Sequence, residues 1–199
     1  MDFTEKDLHI LEDTDFLLAK SSILKKIYNL LEKTRTRLIK IVEESDFSFP
    51  EGTDIVMGKI SRGENYKNLP YMVIDYPTLF TNENSFAFRT MFWWGNFFSS
   101  TLQLEGRSLN EYRKIIGNNI DKLLDKNIFI GVGETPWEYH YNEDNYLILT
   151  KDHIKIINNC NFLKLSKNIS LSDWERLPAF ASGFLKLMIS VLSIPQFEE

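Results

Sequence analysis

Between residues 22 and 42 the apolar side chains Ile23, Ile27, Leu30, Leu31, Leu38 and Ile41 recur at three- and four-residue steps, the period of an α-helix. At 100° per residue, Leu24, Tyr28, Ile39 and Val42 widen this stripe to about half the circumference, so a central helix over 22–42 is predicted, capped by Ser21 or Ser22. Pro50 and Gly52 break the period in 46–54. Alternation in 55–61 then predicts a strand, the polar stretch 62–70 with Gly63 a loop, and the β-rich run 71–76, closed by Pro77, a second strand. After a turn-like 82–85, two further runs, 86–94 and 97–105, flank Gly95-Asn96, a pair favoured in two-residue primed turns. Ser108, with Glu111 three residues on, predicts the capping box of a middle helix ending near Asn127. Short strands over 129–132 and 146–149 enclose a turn region with Trp137, His140 and Tyr141. A short helix is expected from residue 150, and a C-terminal helix over 171–192, capped by Ser172, with Pro178 kinking or restarting it. This order predicts an α+β fold: an antiparallel meander containing an aromatic hairpin, packed by a long N-terminal helix, a middle helix and a C-terminal helix, with 1–199 as one domain.

A two-residue turn at Gly95-Asn96 would set Trp94 opposite Phe97, Trp93 opposite Phe98 and Arg89 opposite Leu102. Ala87, Arg89, Met91 and Trp93 would then share a face with Phe98, Ser100, Leu102 and Leu104. The other face would be half aromatic, from Phe86, Phe88, Phe92, Trp94 and Phe97, and half polar, from Ser99, Thr101, Gln103 and Glu105. A guanidinium in apolar company needs a counter-charge, carbonyl groups or a bound anion, because an unpaired buried charge costs several kcal/mol. Asp75 and Glu105 are the internal candidates for Arg89.

Composition narrows the class. Charged residues at 26% and hydrophobic residues at 43% exclude disordered and fibrous chains, and 199 residues suffice for a sizeable core. Cys160 alone forms no internal disulfide, and the acidic start lacks the basic and apolar segments of an export signal, so a reduced cytoplasm is expected. Residues 179–192, the longest apolar stretch, are interrupted by Ser182, Gly183, Lys186 and Ser190 and read as a core helix, not a membrane span. Richness in Asn and Lys points to an AT-rich bacterial genome. The net charge is −5, yet 20–42 holds seven basic residues against Glu32, with Lys26, Lys33, Arg37 and Lys40 on one stripe. No helix-turn-helix, zinc-finger or RNA-recognition signature accompanies that stripe, so it reads as a solvated face and nucleic acid is not an expected partner.

No phosphate loop, dinucleotide fingerprint, HExxH or paired-cysteine pattern occurs, and neither metal nor cofactor is expected. Glycine, cation and phenol in 61–70 make Arg62 and Tyr66 candidates for anion contact. His140, between Tyr139 and Tyr141 with Glu138 and Glu143 nearby, is the best candidate acid or base. The expected function is a non-enzymatic binding or protein-interaction domain. The competing expectation is a small-ligand-binding protein or enzyme with an aromatic pocket using Arg62, Arg89 and His140, with Tyr66, Trp93 and Trp94 as further ligand contacts. Partners are therefore a small molecule or another protein, including a second copy bound through exposed aromatic surface.

Overall fold

A computed structural model describes residues 2–193. The chain opens with helix α1 (Glu5–Glu12) and the 30-residue α2 (Thr14–Glu43), about 45 Å long. Four strands follow, β1 (Lys59–Tyr66), β2 (Leu69–Phe80), β3 (Asn84–Trp93) and β4 (Phe97–Glu105), then α3 (Gly106–Asn118), β5 (Phe129–Gly131) and β6 (Tyr146–Ile148). The short α4 (Ile154–Asn159), β7 (Phe162–Ser170) and α5 (Leu177–Leu192) complete the described chain. The strands form one seven-stranded sheet in the order β1-β2-β3-β4-β7-β5-β6, and every pairing is antiparallel. The α+β class and the meander of the first four strands are as the sequence predicts.

The hairpin differs from its prediction by one residue. Trp93 pairs with Phe97 and Arg89 with Thr101, leaving a three-residue loop, Trp94-Gly95-Asn96. The Asn96 amide donates to the Trp93 carbonyl at 3.1 Å, and Gly95 has φ +72°, the sign a type II turn needs at its third position. Because side chains alternate with period two, the slip of one residue exchanges the faces of β4 relative to β3. Phe86, Phe88 and Phe92 now share a face with Phe98, Leu102 and Leu104, and all six are buried in the main core. Arg89, Met91 and Trp93 share the other face with Ser99, Thr101 and Gln103. The half-polar face expected from a two-residue turn is thus resolved into one apolar and one polar face.

The apolar face carries the helices. Leu31, Leu38 and Val42 of α2, Leu109, Tyr112 and Ile116 of α3, and Phe184, Leu185 and Met188 of α5 bury against it, with Met72, Ile74, Leu163 and Leu165 from neighbouring strands. Phe88 and Phe184 approach to 5.8 Å between ring centroids, linking sheet to α5.

Several boundaries move for local reasons. Asp13 accepts from the Phe16 amide at 2.9 Å, so α2 begins eight residues before the predicted start. Residues 62–66 continue β1 instead of forming a loop, because Lys67 and Asn68, both at positive φ, make the tight two-residue turn into β2. Pro77 does not end β2: it sits at a bulge between Asp75 and Thr78, where its missing N–H leaves no ladder bond unmade. Ser108 is not the cap of α3. It lies inside the first turn, and its amide donates to Asn84 Oδ1 at 2.8 Å from the start of β3. Replacing Asn84 by Ala is expected to cost about 1 kcal/mol, the usual worth of a side-chain cap, read as a lower midpoint in urea at unchanged slope. Helix α3 ends at Asn118; the apolar residues beyond it reflect Ile120 and Leu123 buried in and just after a 3-10 turn. Ser170, not Ser172, caps the 3-10 segment Leu171–Arg176, and Pro178 stands in the first turn of α5, where it needs no donor.

Candidate functional site

The sheet face away from the helices carries a polar and aromatic layer roofed by the connection 132–145. Asp75, Arg89, Thr101 and Ser166 stand in register across β2, β3, β4 and β7. Arg89 donates from Nε to Asp75 Oδ1 at 2.6 Å and from Nη2 to Oδ2 at 2.8 Å, a bidentate pair, and its Nη1 donates to the Tyr139 hydroxyl. Phe80, Trp137 and Tyr139 flank the guanidinium at 5.2–6.0 Å from their ring centroids. Burial works against the charge, but Asp75 and Tyr139 outweigh it and hold the arginine pKa above its usual value. Tyr139 itself is pushed up to about 12, chiefly by burial.

Beside this pair, Lys164 on β7 is 1% exposed. Its Nζ donates to the Glu138 carbonyl and lies 4.5 Å from the Tyr139 ring centroid and 4.8 Å from that of Tyr146. Desolvation, with Arg89 adding like-charge repulsion, lowers its pKa to about 7. Gly131 on the adjacent β5 makes room for its stem, since a Cβ there would come within 3.0 Å of Lys164 Cβ. Tyr66 ties the roof down: its hydroxyl donates to Glu138 Oε2 at 2.9 Å and accepts from the Tyr139 and His140 amides at 2.6 and 3.1 Å. Burial opposes the Glu138 charge, yet the bond from Tyr66 and the neighbouring Lys67 keep its carboxyl below the usual range. His140 is buried, with Nε2 3.3 Å from Glu138 Oε2.

Four predicted site residues therefore meet on one face: Tyr66, Arg89, Trp93 and His140, with Trp93 packed 5.0 Å from the Tyr66 ring. Arg62 and Trp94 lie on the helix side. Arg62 pairs with Met72 and lines a cleft of about 460 Å³ with Leu24, Lys25 and Tyr28 of α2; Trp94 packs against the main core. Asp75 is the counter-charge of Arg89. Lys164 is absent from the predicted site; the sequence signal for its strand β7 is an alternation, with Leu163 and Leu165 toward the helices and Lys164 and Ser166 toward the polar layer. Cys160 is partly buried, and burial pushes its thiol pKa up.

Five clefts of the described residues lie elsewhere, on the helix side. Two of them adjoin. One, of about 390 Å³, is lined by Ile23, Lys26, Ile27, Leu30, Lys33 and Trp174; the other, of about 340 Å³, shares Ile23, Ile27 and Trp174 and adds Phe92, Trp94 and Leu171. Both border the middle of α2.

Among the described residues nothing buries the side chains of α1 or of the N-terminal part of α2. Every residue from 2 to 19 is exposed, α1 buries none of its side chains, and Leu11 and Leu18 stand 61% and 70% open. Phe3, Leu8, Ile10, Phe16 and Leu17 are exposed with them. This arm carries Asp2, Glu5, Asp7, Glu12, Asp13 and Asp15 against Lys6 alone, so the whole net charge of −5 resides in it and residues 20–199 are balanced. The sequence marks the two helices of this arm through the capping box of Thr4 and Asp7 and through Asp13 as a second cap.

Among the described residues no group of three or more His, Cys, Asp or Glu is placed to hold a metal ion, and no helix is long and apolar enough to cross a membrane. Comparison of the chain with protein-family profiles, with curated proteins and with solved structures finds no match.

Proposed function

We propose that this chain is a non-enzymatic protein-interaction domain of the bacterial cytoplasm, in which the sheet and its packed helices form a rigid platform and the N-terminal arm is the docking element. The observation that carries this reading is the arm itself: seven large apolar side chains from Phe3 to Leu18 stand exposed together, on a segment with six acidic residues against Lys6. Exposed apolar surface in such a cluster marks interaction sites. An eight-residue helix with nothing buried is also too short to be stable alone, so α1 gains its order from what it binds. The polar layer supports the same reading from the other side. Arg89 is already engaged by Asp75 and Tyr139, and serves to hold the roof rather than to await a ligand.

Photo-crosslinking tests this in the producing cells. Benzoylphenylalanine in place of Leu11 or Trp174 is expected to give discrete protein adducts that vanish when Leu8→Asp is added, whereas the same probe at Ile148, equally exposed on β6, gives none. Adducts equal at all three positions, or absent from Leu11, overturn the reading.

A further inference from the structure

Resting on that reading of the arm, we infer that its occupant is a second copy of this chain: the acidic arm of each copy docks in the basic, apolar cleft of the other. The two surfaces are complementary in charge and in spacing. On α1, Leu8 and Leu11 are one turn apart and are flanked on the same face by Glu5 and Glu12. On α2, Ile27 and Leu30 floor the cleft and are flanked by Lys26 and Lys33. Each pattern is a charge, two apolar anchors and a charge, with opposite signs, as a helix seated in a groove requires.

The register closes on itself. In an antiparallel pairing about a two-fold axis at Ala19, equal sequence offsets match Glu5 to the partner's Lys33, Leu8 to the partner's Leu30, Leu11 to the partner's Ile27 and Glu12 to the partner's Lys26, with α1 joined to α2 through the single residue Asp13. The same operation seats the second arm on the first cleft, so the contact is isologous and stops at two copies. A small residue at the axis lets the helices approach, and the exposed Leu18 beside it is covered. The arm does not reach its own cleft: one residue, Asp13, separates α1 from α2 and is itself fixed as the cap of α2, so folding back would unwind that helix.

Sedimentation velocity of the full chain at about 50 µM, well above a micromolar Kd, is expected to give twice the 23.4 kDa chain mass. Glu5→Lys with Glu12→Lys, or Lys26→Glu with Lys33→Glu, should each weaken the dimer at least about tenfold, as like charges oppose across the contact. The changes are at the surface, and circular dichroism confirms that each variant is folded. The chain with all four changes, and an equimolar mixture of the two paired variants, should regain the dimer. A monomeric unmodified chain, or a dimer indifferent to either charge reversal, overturns the proposal. In the first case the crosslinking test still decides whether the arm docks on a different protein; absence of adducts from Leu11 sinks the interaction reading itself.

Discussion

An Asp75→Ala chain is expected to lose about 3–5 kcal/mol of stability, because the change strips the counter-charge from a guanidinium that the protein keeps buried. Arg89 and Asp75 are only 15% and 13% exposed in their side chains, and the two bonds between them run at 2.6 and 2.8 Å. Only Tyr139 and the rings of Phe80 and Trp137 then face the charge, and the Tyr139 phenol is pushed up to about 12, so it stays neutral. Against the 5–15 kcal/mol typical of a domain, such a loss removes much of the folded margin. Arg89→Met in addition to Asp75→Ala should recover most of it, since an apolar pair of similar volume no longer needs compensation. Urea unfolding of the two single variants and the double variant measures this coupling. Additive losses would show that the pair does not act as a unit.

A Lys164→Met chain should be more stable than the natural one by about 1–4 kcal/mol at pH 6, the usual gain when a buried charge gives way to a well-packed apolar side chain. Lys164 is 1% exposed, and its pKa falls from 10.5 to about 7, with burial the main cause and Arg89 the next. Below pH 7 both the folded and the unfolded chain carry the proton, and the folded state bears the full cost of holding it. Between pH 7 and 10.5 the unfolded chain binds more protons than the folded one, so this residue makes stability rise with pH. The advantage of the methionine variant should therefore be largest at pH 6 and shrink steadily toward pH 10. Unfolding midpoints at pH 6, 8 and 9.5 read it directly. A variant less stable than the natural chain at pH 6 would mean that the bond from Lys164 to the Glu138 carbonyl and the contacts with Tyr139 and Tyr146 outweigh desolvation.

Both effects arise from the sheet face that the sequence rendered only in part. The need of Arg89 for a partner was legible from its apolar neighbours in β3, and Asp75 was among the named candidates. Its precise neighbourhood was not, because the register of β3 against β4 turned on whether the loop held two residues or three. Local sequence at Trp94-Gly95-Asn96 supports either, and only burial of Phe98, Leu102 and Leu104 under α2, α3 and α5 selects the longer loop.

By itself, then, the sequence determined what depends on neighbours a few residues away. The helical stripe of α2, the strands of the meander, the hairpin, and the acidic start followed by a basic stripe are all periodicities or local charge counts. Tertiary structure decided what depends on residues far apart in the chain. It inserted β7 between β4 and β5, placed Lys164 beneath Tyr139, set Arg62 and His140 on opposite faces, and left residues 2–19 exposed. Whether an apolar side chain ends in a core or in solvent depends on what surface remains to receive it, and for Leu8, Leu11 and Leu18 the described residues provide none.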